Sequence, residues 1–444
     1  MMLEALRNAF KLPDLRRRIF YTILILVIFR MASNIPVPGV DRLALKAFFD
    51  SATTGGEAAG LGQFANLLNL LSGGAVQNFS VLAAGVYPYV TAQIVLQLLL
   101  PIFPKWEQQI KEEGDEGQRK MNQWTFYLTV PLAALSAFGQ AQLFRSASIG
   151  TQQILPNFGW GPTSTLPTIT LLMTMTAGTM FAVWLGELIT EQGIGNGLSL
   201  IIFGGIVSRV PASFQSIWET DGLIGILIYV VIMVLTILFI VFVQDGERRI
   251  RVQYGKRVRG MKVYGGGSTY IPLKINTAGM IPLIFAQSIL AFPAVIAQFF
   301  LGSTNPSVVN FANGVVNFFG GRNPWYAPIF FLAVFGLTYF YTFVMIEQQN
   351  LPEMLQKQGG FIPGVRPGKR TEEHILGIYK RITLAGALFL GIVAVLPYIV
   401  GLFMKSNQML IQSSGLLIVV GTVMDTVRQL EAQLLMRNYE GFLR

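Results

Sequence analysis

The side chains that do most protein chemistry are scarce in the apolar parts of this 444-residue chain. Its single histidine, His374, stands in a charged stretch, so no imidazole cluster exists to hold zinc or haem or to act as base for an intramembrane serine. There is no cysteine, which removes disulfides, thiolate nucleophiles and Cys-ligated metals. Charges inside the apolar stretches are confined to Arg30, Arg209 and Asp425, each near an end where snorkelling to the interface is cheap. Ion-coupled carriers usually need a buried ionisable group to bind the coupling ion, so the pattern argues against that class. The interior keeps neutral polar groups, among them Gln93, Gln97, Gln140 and Gln287, amid aliphatic side chains. An apolar constriction in such a lining blocks ions by dewetting, yet widens for a large guest because it binds nothing strongly. No cofactor is implied.

The basic chemistry lies outside these stretches. Residues 244 to 276 carry eight Lys/Arg against Asp245 and Glu247, a net charge of +6, together with Tyr254 and Tyr264. Basic and apolar residues largely alternate from Arg249 to Tyr254 and from Arg257 to Val263, which is the period of a β-hairpin turning at Gly255-Lys256. Gly265-Gly266-Gly267 is expected to form a joint after it, and with no Gly-Lys-Ser/Thr following, a phosphate loop is disfavoured. Two readings of the charge stay open: electrostatic binding of phosphate-rich RNA, or orientation of a membrane protein. In the stretch GGFIPGVRPGKR, residues 359 to 370, Pro363, Gly364, Pro367 and Gly368 frame Arg366, which is either a docking residue or a solvated charge.

Ten apolar stretches must position these residues: 19 to 35, 79 to 103, 124 to 144, 166 to 186, 197 to 211, 223 to 243, 277 to 301, 327 to 346, 382 to 404 and 409 to 427. A composition of 52% apolar and 13% charged residues makes the bilayer their solvent. With both termini on one side, that side holds 26 of the 33 Lys and Arg residues, so the termini and the loops 244 to 276 and 347 to 381 are expected to be cytoplasmic. No small-residue cleavage motif follows the first stretch, so it is expected to be retained. Five stretches fall in residues 1–215 and five in 216–444, and an odd number per half is the arithmetic of an inverted repeat. The fifth stretch is short and is expected to pack inside the protein. The segment GLGQFANLLNLLSGGAV, residues 60 to 76, is too short to span. It is either an amphipathic helix on the outer surface or a re-entrant half-helix in a cavity.

Several long motifs occur in order along nearly the whole chain: MASNIPVPGVD (31 to 41), NLLSGGAVQNFSVLAAGVYPYVTAQIVLQLL (69 to 99), ITEQGIGNGLSLIIF (189 to 203), ERRIRVQYGKR (247 to 257), STYIPLKINTAGMIPLIFA (268 to 286) and FIPGVRPG (361 to 368). By these the chain resembles the SecY family, central subunits of the bacterial protein-conducting channel. The resemblance implies an all-α membrane protein of ten transmembrane helices, in two inverted five-helix halves around an hourglass pore. It implies a ring of six apolar side chains closing that pore: Val86, Val90, Leu198, Ile202, Ile284 and Ile418. The family often has isoleucine at the first three positions. A plug at about 60–74, with Leu61, Phe64, Leu67, Leu68 and Leu71, takes the re-entrant reading. A lateral gate between spans 2, 3, 7 and 8, with Thr91, Gln93, Gln287 and Phe292, opens towards lipid. Arg249, Arg251, Lys256, Arg257 and Arg366 become docking residues for the ribosome and the SecA ATPase. Implied partners also include the SecE and SecG membrane subunits, signal peptides, nascent chains and membrane lipids. The expected activity is a passive conduit in the bacterial plasma membrane, not an enzyme. An inverted-repeat secondary transporter shares the topology but requires the mid-membrane carboxylate that is missing here, and an intramembrane enzyme lacks catalytic groups.

Overall fold

The computed structural model describes residues 12–53, 72, 74–100, 103, 106, 110, 113–146, 154–159, 161–162, 164–208, 210–254, 257–259, 262–264, 267–279, 281–300, 305–319, 323–349, 351–403 and 412–442. Helices dominate: α1 (Pro13–Ala32), α2 (Arg42–Thr53), α3 (Tyr87–Leu99), α4 (Asp115–Ser146), α5 (Thr165–Gln192), α6 (Gly197–Val207), α7 (Val210–Asp245), α8 (Ile281–Phe300), α9 (Pro306–Phe319), α10 (Tyr326–Gln349), α11 (Leu351–Lys357), α12 (Lys369–Phe403) and α13 (Gln412–Phe442). Each of the ten apolar stretches contains a helix or part of one among the described residues. Among the described residues, five helical segments are long and apolar enough to cross a membrane: Thr165–Gln192, Gly197–Glu219, Gly222–Asp245, Tyr326–Ile346 and Lys369–Leu396.

Two boundaries differ from the hydropathy reading for backbone reasons. The second stretch was expected to be helical from residue 79, but α3 starts at Tyr87 and residues 74–86 form successive turns around a bridge between Ser80 and Pro36. There the Val37 amide donates to the Phe79 carbonyl (3.0 Å) and the Val81 amide to Ile35 (2.9 Å), so this backbone pairs with the segment after α1. Phe79 (φ 41°) and Gly85 (φ 57°) also lie outside the right-handed helical region. The fifth stretch ends as α6 at Val207, with Ser208 as its cap, and helical residues resume at Val210, so Gly197–Glu219 together is long enough to span. The break comes at Gly222, whose φ of 64° only glycine adopts readily.

The helices α2 and α9 were not anticipated; both are short and amphipathic. α2 buries Ala44, Leu45, Phe48 and Phe49 against α4 and α5, with Phe48 and Phe79 each edge-on to Phe144 at 5.7 and 5.1 Å. α9 buries Ala312 and Val316 against Ala297 of α8, and its Phe319 packs on two large clusters at once. One of those clusters joins α2, α4 and α5; the other joins α7, α8, α10, α12 and α13. A third joins α1, α3, α5 and α6, where Gly197 lies against the Gly186 carbonyl so closely that any side chain at 197 would collide with it.

The remaining regular structure is β. Strand β1 (Glu247–Tyr254) pairs antiparallel with β4 (Ser268–Lys274), and β2 (Arg257–Arg259) with β3 (Lys262–Tyr264). The two ladders of this ribbon follow the same register, and the second reverses between Arg259 and Lys262, not at Gly255-Lys256 as alternation suggested. Gly267 is accordingly no loose joint, because its carbonyl accepts from the Tyr254 amide (3.1 Å) within the ladder. Strand β5 (Gly360–Phe361) adds to the other edge of β1, opposite Tyr254 and Gln253.

Candidate functional site

Four helices distant in sequence bring an apolar set together. Ile202 and Ile284 pack on the buried pair Ile206 and Ile418, beside Val419, which joins α6, α8 and α13. Leu198 and the same Ile202 also pack on the neighbouring cluster that holds Val86, the residue capping the start of α3. Val90 packs elsewhere, on Ile94, Ala278, Phe285 and Tyr341. Five of the six expected ring residues are therefore linked through Ile202, with Val90 one helical turn after Val86. Ile206 was missed by the sequence reading. Its signal was available, because it lies four residues after Ile202 on the same helical face. A constriction lined by such aliphatic side chains can exclude ions and water without binding either. The expected plug residues Leu61, Phe64, Leu67, Leu68 and Leu71 lie outside the described residues; at that segment's end, the Val76 amide donates to the Ser72 hydroxyl (3.2 Å).

α8 faces two helices from the earlier part of the chain. Phe285 meets Val90 and Ile94 of α3, and further along Ala294 is buried with Ala137 and Ala141 of α4. The expected gate residues are not all at this seam. Thr91 donates its hydroxyl to the Tyr87 carbonyl in its own helix (3.0 Å), and Gln93 is half-buried. Phe292 is 49% exposed and lines an apolar groove with Ile296, Phe300 and, from α9, Val308, Phe311 and Val315. Gln287 of α8 and Gln140 of α4 have buried side-chain carbonyls with no hydrogen-bond partner among the described residues. Such atoms cost about 1–3 kcal/mol each when left unpaired.

The helices that carry Leu198, Ile284 and Ile418 also contribute Ser199, Ile281 and Gly421 to the wall of a polar cavity of about 530 Å³, bordered further by Asn196, Lys274, Asn276, Asp425 and Arg428. Asn196 caps α6 by accepting from the Ser199 amide (3.2 Å), which aims the start of that helix at the cavity.

The ribbon alternates as strand period requires, burying Ile250 and Val252 while exposing Arg249 and Arg251. Arg249 is paired with Glu247 at 2.7 Å, so part of its charge is already answered, whereas Arg251 stands exposed opposite Tyr270. Arg257 lies on β2, while Lys256 is outside the described residues. Arg366 is exposed in a turn between Gly364 (φ 86°) and Gly368 (φ 103°), and its carbonyl accepts from the Thr371 hydroxyl (2.9 Å). The pairing of β5 with β1 makes one body of the two loops. Its core contains Ile250, Val252 and Leu273 from the ribbon and Leu355, Ile362 and Ile375 from the second loop. A side chain at Gly360 would press on Tyr254 and Val252 at 3.1 and 3.2 Å, which is why the strand approaches there.

A model of the SecY family matches residues 80–427. SecY protein translocase subunits from Halalkalibacterium halodurans and Thermotoga maritima are 40% and 39% identical to this chain. The matches cover all of this chain and 100% and 98% of theirs. A solved protein-conducting channel superposes with a TM-score of 0.59 at 17% identity, covering 94% of this chain and 92% of its own. Sec61 in a canine ribosome–channel complex superposes with a TM-score of 0.56 over the same shares, again at 17% identity. These structures have the same fold.

Proposed function

This chain belongs to the SecY family, and on that premise we propose how its parts divide the work of a protein-conducting channel. It is a channel subunit of the protein translocase in a membrane, not an enzyme. The convergence of Val86, Leu198, Ile202, Ile284 and Ile418 from four helices is the observation that carries the assignment of the pore. An unfolded secretory chain enters from the polar cavity, spreads this apolar ring and displaces the plug at 60–74. Transmembrane segments leave sideways between α3 and α4 on one edge and α8 and α10 on the other. The halves 1–215 and 216–444 form the two sides of the hourglass. The ribosome or SecA docks on the ribbon and the Arg366 turn and drives the passage, and SecE and SecG brace the assembly. The membrane is the bacterial inner membrane, with both termini and the ribbon cytoplasmic, a reading supported by the distribution of Lys and Arg.

Reconstitution tests this directly. Vesicles holding the chain with SecE and SecG should shelter a secretory precursor from added protease only when SecA and ATP are supplied. Equal protection in vesicles lacking the chain would sink the reading.

The docking body yields two further expectations. Reversing Arg249, Arg251, Lys256 and Arg257 to Glu should weaken ribosome binding and flatten its salt dependence, by roughly 0.7 in log–log slope for each phosphate that is no longer neutralised. Because Glu247 already partners Arg249, Arg251→Glu alone should have a larger effect than Arg249→Glu alone. Binding and slope equal to the parent's would leave these charges a purely topological role. Arg366→Glu should impair SecA-driven export while leaving thermal stability within about 0.5 kcal/mol, because an exposed turn charge contributes little to folding. Insertion of a ribosome-delivered membrane protein by the same variant separates impaired SecA docking from a damaged pore. Undiminished export would remove the docking role.

A further inference from the structure

Arg428 stands where three elements meet. From α13 its guanidinium donates to the Asp245 carboxylate (2.8 Å) and to the Gln244 carbonyl (3.3 Å), the last two residues of α7. A cation there answers the negative end of the helix as well as the carboxylate. The next residue, Gly246, accepts from the Ile275 amide (2.9 Å) at the root of the ribbon, and β1 begins immediately after it. On another side α13 reaches the turn before α6, where a side chain on Gly195 (φ 83°) would meet the Thr426 hydroxyl at 2.9 Å. Ten residues earlier on α13 is Ile418 of the constriction, about 15 Å away along the helix. One side chain thus ties the foot of the ribbon to the helix that carries part of the seal.

The geometry points to Arg428 as a positioning residue that transmits displacement of the docked ribbon through α13 to the constriction. The inference rests on the docking reading above and adds the route. The pair is partly exposed, so it contributes little to stability. What it supplies is direction, because both contacts are donated by one nitrogen, Nη2, whose two N–H bonds are held in the guanidinium plane, whereas an ammonium on a flexible stem rotates. Lys274 and Asp425 border the same cavity, but neither makes this bridge.

The absence of native cysteine allows spin labels at Ser199→Cys and Ala432→Cys, both on the wall of the cavity, in the chain reconstituted with SecE and SecG. Ribosomes should shift the label-to-label distance in the parent. In Arg428→Gln and in Asp245→Asn the shift should fall by at least about half while ribosome affinity stays within roughly twofold, since coupling and binding are separate free energies. The exchanged pair Asp245→Arg with Arg428→Asp, which re-forms the ion pair but not the bond to the Gln244 carbonyl, should restore it in part. A merely structural role would lower folded yield and affinity together, and would not leave binding intact while abolishing the shift. An undiminished shift in either single variant, or ribosome binding to the parent with no shift, overturns the inference. Failure of ribosomes to bind the parent overturns the docking reading instead.

Discussion

Joining α4 to α8 through cysteines at Ala294 and at Ala137 or Ala141 should stop export and membrane insertion together. These alanines are fully buried against one another's helices, where a cysteine adds one sulfur atom to each side, and the chain has no other thiol to confuse the result. A disulfide forms where the Cα atoms come within about 7 Å, and a short bis-maleimide serves where they do not. A polypeptide crossing sideways requires these two helices to part, so transport should fall by an order of magnitude or more on oxidation and recover on reduction. The seam chosen differs from Thr91 and Phe292 because Phe292 lines the groove towards α9, away from the buried contact. A long flexible linker at the same sites should permit partial transport. Efficient crosslinking with transport at the reduced level would refute the placement of the gate.

Replacing Ile284 or Ile202 by Asn should make resting vesicles leak ions. Each residue packs on the Ile206–Ile418 pair, so its amide would be surrounded by aliphatic groups offering no hydrogen bond. An unpaired buried amide costs about 1–3 kcal/mol, which water entering the constriction would recover. The balance between dry and wetted states should therefore move by roughly 5- to 150-fold. Ile206→Asn should behave alike although the family-based ring omits that position, and Val90→Asn should leak less because Val90 packs on a separate cluster. Vesicles as tight as the parent's with both Ile202→Asn and Ile284→Asn would place the barrier elsewhere.

The placement of helices was legible because hydrophobic transfer is nearly additive along a chain. Each of the ten stretches contains a helix or part of one among the described residues, and the same additivity of charge marked the ribbon as a basic face. Hydropathy could not see where backbone groups find partners. Residues 79 to 86 are as apolar as a span, yet their amides and carbonyls pair with residues 35 to 37, so α3 starts late. α2 and α9 were missed because short amphipathic helices give no signal in a test for spanning length.

Alternation alone pointed to strands at residues 249–254, 257–259 and 262–263, since side chains on a strand must face opposite sides in turn. It could not establish their partners, because pairing register depends on contacts between segments: β1 found β4 and β5, and Arg259 found Lys262. The same limit applies to the constriction. Sequence supplied isoleucines and valines on four helices, and family resemblance selected six apolar residues. Which ones touch was decided by how the helices pack, so Ile206 joined and Val90 stood apart. Arg428 is the extreme case. Nothing in residues 420 to 436 announces a partner 183 positions away, because an ion pair between distant segments has no period and exists only once α7 and α13 lie side by side.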